Sequence, residues 1–232
     1  YGRGSPFIDI RLPCGGGLDI LLLPRPDRTV LRELAERRRR RIPCTLRIAR
    51  ADGALSLHDD GETGDDGAIF QVRFLPEIRF LVFGKGPEAG TFAALVQSAG
   101  YPNILLSPDA ETLDHGAAMG CTIRHLTRQA FPEDLAVDAR TAVVLFFHDH
   151  DWEPPVLAGV LDSPAFYIGA QGSRMARDAR NLELEALGID HAALGRLRGP
   201  IGLLPSARDA RTLAISVLAE VLSVAGGTGK GG

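Results

Sequence analysis

Ile78-Arg79-Phe80-Leu81-Val82-Phe83-Gly84-Lys85-Gly86-Pro87-Glu88-Ala89 is a short apolar, β-prone run that ends in two glycines spaced G-x-G, with the small Ala89 three positions after the second. An apolar run of this length, stopped by a turn, has the character of a parallel strand buried on both faces. Glycines allow a tight turn there and let a ligand's phosphates approach backbone N–H groups at the positive end of the following helix. The pattern G-x-G-x-x-A, centred on Gly84 and Gly86, therefore reads as a dinucleotide or anion cradle. A merely structural turn between strand and helix accounts for it equally well.

The rest of the chain extends outward from this strand. Its 232 residues, 45% hydrophobic and 24% charged, are enough to bury a substantial core in one large domain or two modest ones. A net charge of -3 gives no long-range attraction to nucleic acid, and the arginine run Arg37-Arg38-Arg39-Arg40-Arg41 reads as a solvated helix end. Three scattered cysteines, Cys14, Cys44 and Cys121, form neither a disulfide framework nor a four-ligand zinc site, which favours a reducing, cytoplasmic compartment. No apolar run is expected to reach the ~18 residues of a membrane helix, and no signal peptide opens the chain. Because the sequence opens on Tyr1, residues before it are expected to be missing.

Upstream of the opening strand, residues 7–23 read as two short β segments around the turn Pro13-Cys14-Gly15-Gly16-Gly17. Residues 27–40 have Val30, Leu31 and Leu34 on one helical face. Residues 42–48 and 54–57 form a hairpin turned at Asp52-Gly53, 58–67 an acidic, glycine-rich loop, and 68–75 a further strand. These elements define a small α+β domain over residues 1–76.

Downstream, a helix is expected over 87–99, with proline in its first turn, then strands at 103–107, 121–126, 141–147 and 165–168. Strands alternating with helices predict a doubly wound parallel sheet over 77–225. In such sheets the first and fourth strands are neighbours at the switch point, so the Gly84 turn and the residues after Phe147 should share one crevice. The last helix, 208–224, reads as core packing, and 226–232 as a flexible tail.

Two further loops carry chemistry. The fourth strand delivers His148-Asp149-His150, with both imidazoles on one side of an extended end; they can shuttle a proton or hydrogen-bond a polar ligand, but two ligands do not make a metal site. The fifth delivers Gly172-Ser173-Arg174. Gly172 frees the backbone, Ser173 caps a helix while donating to an oxyanion, and Arg174 offers a planar fork suited to phosphate. A phosphate-bearing ligand spanning the crevice would account for all three loops.

With those residues in hand, the chain resembles the XdhC/CoxI family, accessory proteins of xanthine dehydrogenase and related molybdenum hydroxylases. The matching segments are LPCGGGLDI, the G-x-G turn at Gly84, VVLFFHDHDWEPP, SPAFYIGAQGSR, and GPIGLL followed by AISVLAEV. The resemblance implies a small domain followed by a Rossmann domain that binds molybdenum cofactor (molybdopterin), protects it and passes it to a client molybdenum hydroxylase. It also implies contact with a cysteine desulfurase, and leaves a homodimer open. By residue it points to Cys14, Gly84, Gly86, His148, Asp149, His150, Gly172, Ser173 and Arg174 as cofactor-binding, with no catalytic residue. The chain departs from the family at Gly17, where a basic residue is usual, at Leu204, where an aspartate is expected, and at Ser107, where an acidic residue is common.

The rival expectation is an NAD(P)-dependent oxidoreductase using the same glycine turn, with His148 or His150 as the available acid. Ser107 weakens it, because a ribose-binding carboxylate belongs at that strand end and Asp109 lies two residues beyond. A third reading is a degenerate family member acting only through protein contacts.

Overall fold

A computed structural model describes residues 20–148, 151–205, 207 and 209–227. The chain divides into two compact units between Pro76 and Glu77.

In the first unit, α1 (Arg28–Arg39) begins where the Asp27 carboxylate accepts the N–H groups of Thr29 and Val30, at 2.7 and 3.4 Å. Four antiparallel strands follow, β1 (Cys44–Ala49), β2 (Leu55–His58), β3 (Gly64–Asp65) and β4 (Ile69–Phe74), in the order β2-β1-β4-β3. Alternation along β1 turns Cys44, Leu46 and Ile48 toward Leu34 of α1, and these close a small core with Val30, Leu57 and Phe74 around them.

Two expectations need correcting here. Residues 20–23 form no strand; Pro24 and Pro26 remove ladder donors just beyond them, and Ile20 and Leu22 are exposed. The rest of the predicted pair around Cys14 lies outside the described residues. The loop at 58–67 contains the two-residue strand β3, which pairs Asp65 with Phe70 and is held by the ion pair from Arg50 to Asp65.

The second unit is a six-stranded parallel sheet: β5 (Arg79–Gly84), β6 (Asn103–Ser107), β7 (Thr122–His125), β8 (Thr141–Phe146), β9 (Tyr167–Ala170) and β10 (Leu197–Arg198), in the order β10-β9-β8-β5-β6-β7. The helices are α2 (Pro87–Ser98), α3 (Ala110–Ala118), α4 (Glu153–Val160), α5 (Arg174–Ala186), α6 (His191–Leu194) and α7 (Ala210–Gly227).

The central strands have an apolar side chain at nearly every position because both faces are covered. Phe80 and Val82 of β5, with Val144 and Phe146 of β8, pack against Phe92 and Val96 of α2 and Val217 and Val221 of α7. Leu81, Phe83, Val143 and Leu145 face the other way, onto Val156 and Leu157 of α4 and Leu184 of α5. As expected, the first and fourth strands of this sheet are neighbours: β5 and β8 pair from Arg79↔Thr141 to Gly84↔Phe146.

The sequence pattern misplaced several boundaries. β9 starts two residues later than expected, because Gly169 and Ala170 continue the ladder with β8 and the turn begins only at Gln171. The helix start expected at Ser173 is the N-cap of α5, whereas β10, α3, α4 and α6 went unread; two residues are too short for a period, and the four-residue α6 makes little more than one turn. α7 runs to Gly227, two residues into the expected tail, and it is also long and apolar enough to cross a membrane by length and composition. Its apolar character is used instead against the sheet, where Leu213, Ala214, Val217 and Val221 are buried.

Two backbones approach closely at Gly84, where a Cβ would lie 2.5 Å from the Phe146 carbonyl oxygen. Neither partner is a flexible side-chain end, so Gly84→Ala is expected to destabilise the protein by about 3 kcal/mol. Gly226→Ala, which meets nothing within 4 Å in α7, should instead be stabilising by about 0.5 kcal/mol. Urea unfolding of the two variants checks both signs.

Candidate functional site

The pairing of β5, β8 and β9 brings three loop starts to one carboxyl edge of the sheet, with Gly84 opposite Phe146 and Leu145 opposite Ala170. The loop after β5 turns through Gly86, which has φ 86° and precedes α2. Its N–H donates to the Thr112 hydroxyl at 2.8 Å, and that hydroxyl donates to the Asp109 carboxylate at 2.5 Å. Asp109 also accepts the Thr112 N–H at 2.8 Å as the N-cap of α3. These two bonds, the hydroxyl's first, hold the Asp109 carboxyl below the usual carboxylate range, with Lys85 adding to the effect. The glycine turn is thus tied to α3 through Thr112.

Beside it, Ser107 is buried, and its hydroxyl oxygen accepts the Asp109 N–H at 3.1 Å. The strand end where a dinucleotide fold presents a carboxylate to ribose holds a serine here, and the nearby aspartate is committed to capping. Glu88 stands in the first turn of α2 and brings its carboxylate within 3.3 Å of His148 Nε2. A hollow of about 330 Å³ opens next to this turn, with Gly86, Thr91, Asp109, Thr112 and His115 in its wall.

The turn after β9 is electrostatically different. Gly172 has φ 140°, and the Ser173 hydroxyl caps α5 by accepting the Ala176 N–H at 3.1 Å. The first turn of α5 carries no carboxylate and begins with the exposed Arg174. The positive end of the helix and a guanidinium therefore coincide. Gly172, Ser173 and Arg174 form one side of a cavity of about 710 Å³, whose other side is the segment 200–205 with Ala207 and Leu213.

That opposite wall is fixed by α7. Ser216 accepts the Leu204 N–H at 2.7 Å through its hydroxyl, and the Glu220 carboxylate accepts the Gly202 N–H. Glu220 lies 3.8 Å from Arg198, whose guanidinium stacks over the Tyr167 ring at 5.7 Å. Burial first, and then Glu220, push the Tyr167 hydroxyl's pKa above its ordinary value. Ser216 and Glu220 were missed because α7 reads as plain core; the available signal was two polar residues at i and i+4 in the apolar middle of the helix. With its backbone held, the segment presents Leu203 and Leu204, 57% and 51% exposed. The cavity thus has a cationic, hydrogen-bonding side and an apolar side.

Of the residues singled out in the sequence, Gly172, Ser173 and Arg174 are brought together in this cavity, while Gly86 lines the separate hollow. His148 sits with Glu88 near the Gly84 turn. Cys14, Asp149 and His150 lie outside the described residues. Among the described residues, no group of three His, Cys, Asp or Glu side chains is placed to hold a metal ion.

Comparison with known proteins bears on this geometry. The family model described as the XdhC Rossmann domain matches residues 80–221. Over 227 residues the chain is 35% identical to the molybdenum cofactor insertion chaperone PaoD of Escherichia coli (strain K12), an alignment that takes in 97% of this chain and 64% of that protein. The chain thus spans a little under two thirds of that relative's length. A xanthine dehydrogenase crystal structure from Bacillus halodurans superposes with a TM-score of 0.65 at 16% identity, over 88% of this chain and 66% of that one, a likeness of fold.

Asp109 offers a test of the glycine-turn tether. Asp109→Ala is expected to cost about 1 kcal/mol at neutral pH through loss of the α3 cap. Because the folded carboxyl titrates below its unfolded value of about 3.9, this contribution is present above that pH and is lost as pH falls through the lower folded value. Urea unfolding at several pH values should show the gap between wild type and Asp109→Ala narrowing in acid. Asp109→Asn, still able to accept at the cap, should lose less.

Proposed function

Because this chain belongs to the XdhC family, we propose that it binds molybdenum cofactor, shields it and delivers it to a molybdenum hydroxylase of the xanthine dehydrogenase type. The observation that carries this reading is the 35% identity with a molybdenum cofactor insertion chaperone along 97% of the chain. It is a carrier's role, and no residue is assigned to catalysis.

The cavity fits such a ligand. Molybdopterin joins a phosphate to a flat pterin, so it needs an anion-holding side and an apolar one. The N-terminus of α5, free of carboxylates in its first turn, together with Ser173 and Arg174, would hold the phosphate, and Leu203 and Leu204 supply the apolar side. Gly172 lets the backbone come close to the ligand. Gly84, Gly86 and His148, from loops at the same sheet edge, complete the proposed binding set, with Asp149, His150 and Cys14 included from the family resemblance. When bound, the cofactor supplies the redox chemistry of the client enzyme; this chain's own residues hold it, exclude water and release it. A cysteine desulfurase that sulfurates the cofactor is the second proposed partner.

A nicotinamide cofactor at the glycine turn gains no comparable support. The Gly86 N–H is already bonded to Thr112, and the Glu88 carboxylate stands at the positive end of α2, where a pyrophosphate would have to lie.

Purified protein mixed with molybdopterin is expected to retain it through gel filtration. Arg174→Ala should weaken that retention about tenfold, as loss of one charge-assisted hydrogen bond implies. Failure of the wild type to retain molybdopterin, together with tight NADH binding by fluorescence titration, would reverse the assignment.

A further inference from the structure

We infer that the buried pair Glu153–Arg180 is the positioning element of the proposed cofactor site, locking the turn after β9 to the start of α4. Its functional meaning rests on the cofactor-binding reading; its structural part does not. Arg180 lies on α5 and Glu153 opens α4, immediately after the segment that follows His148. Their side chains are 2% and 3% exposed. Arg180 Nε donates to Glu153 Oε2 at 2.8 Å, and Nη2 donates to the Gln171 carbonyl oxygen at 2.6 Å. One planar group thus ties the residue that begins the Gly172-Ser173-Arg174 turn to the first residue of α4.

The backbone has made room for this group. A Cβ on Gly172 would lie 3.2 Å from Arg180 Nη2 and 3.1 Å from the Ala176 Cβ, and one on Gly199 would lie 3.4 Å from Nη1. The guanidinium therefore sits between the turn on one side of the cavity and the residue preceding Pro200 on the other.

Stability alone is a poor account of such a pair. Taking two charges out of water is costly, and apolar residues of similar volume often serve a core as well or better. Arg180 Nη1 is in addition buried without a hydrogen-bond partner among the described residues, and a part-satisfied network is a worse core than an apolar one. What an apolar pair cannot supply is the directional grip on the Gln171 carbonyl. That grip sets the orientation of the Gly172 and Ser173 backbone on which a bound anion would depend.

The double variant Glu153→Met/Arg180→Met separates positioning from structure. It is expected to unfold cooperatively at a midpoint near that of the wild type, while the amides of residues 171–174 exchange with deuterium at least tenfold faster and molybdopterin retention falls at least tenfold. Arg180→Lys, whose single ammonium cannot serve Glu153 and Gln171 in the same geometry, should show both changes in smaller degree. Wild-type exchange at 171–174 in the folded double variant, or faster exchange with unchanged retention, overturns the inference. Should the double variant fail to fold, Arg180→Lys decides on the same two readouts. If the wild type retains no molybdopterin, the cofactor reading fails by itself, and the exchange rates alone decide whether the pair holds the turn.

Discussion

The second unit depends on the contact between the backbones of β5 and β8 at their carboxyl ends. Six paired positions bring Gly84 against Phe146, at a spacing that admits no side chain. A strand buried on both faces has little freedom of register, because each side chain already belongs to one of two cores. Once β8 is seated, β9 follows it through the ladder from Ala142↔Tyr167 to Leu145↔Ala170, and the loops after these strands must emerge side by side. The site inherits its location from strand packing, before any ligand-binding side chain is considered.

Within that frame, the helix starts of α2 and α5 differ in charge. The amino end of α2 carries Glu88, and its turn is stitched to α3 through Thr112 and Asp109. The amino end of α5 carries Arg174 and Ser173 and opens into the larger cavity. A helix start already facing a carboxylate has its partial charge compensated, whereas one flanked by arginine does not. The G-x-G turn brings two strands together, and the uncompensated positive helix end lies two strands along the same edge, at Gly172-Ser173-Arg174.

Much of this was legible in the sequence because the central strands are continuous apolar runs and the turns between strand and helix are marked by glycine or proline. The neighbours β5 and β8 followed from topology alone. Other features left no such trace. Gly169-Ala170 looked like turn residues, yet they lie in β9, because a parallel neighbour supplied hydrogen-bond partners for them. β10 consists of two residues that earn their strand character solely by lying beside Ile168 and Gly169. Arg180 read as one more charge on a helix, and nothing in its spacing from Glu153, 27 positions away, could reveal that both are buried together. Ser216 and Glu220 were hidden in the same way, as polar exceptions within an apolar helix whose purpose is visible only once the 202–204 backbone lies across them.

The grip of α7 on that backbone has an evolutionary corollary. Its two bonds, from Ser216 and Glu220, reach the main-chain N–H groups of Leu204 and Gly202 rather than any side chain of the segment. The shape of the cavity wall is consequently encoded in the helix, and the identity of the wall's side chains is encoded separately in the loop. Where the family resemblance leads to the expectation of an aspartate, this chain displays Leu204, 51% exposed. Such a division lets ligand preference drift, or be engineered, by exchanging residues 203 and 204 while the fold stays as it is.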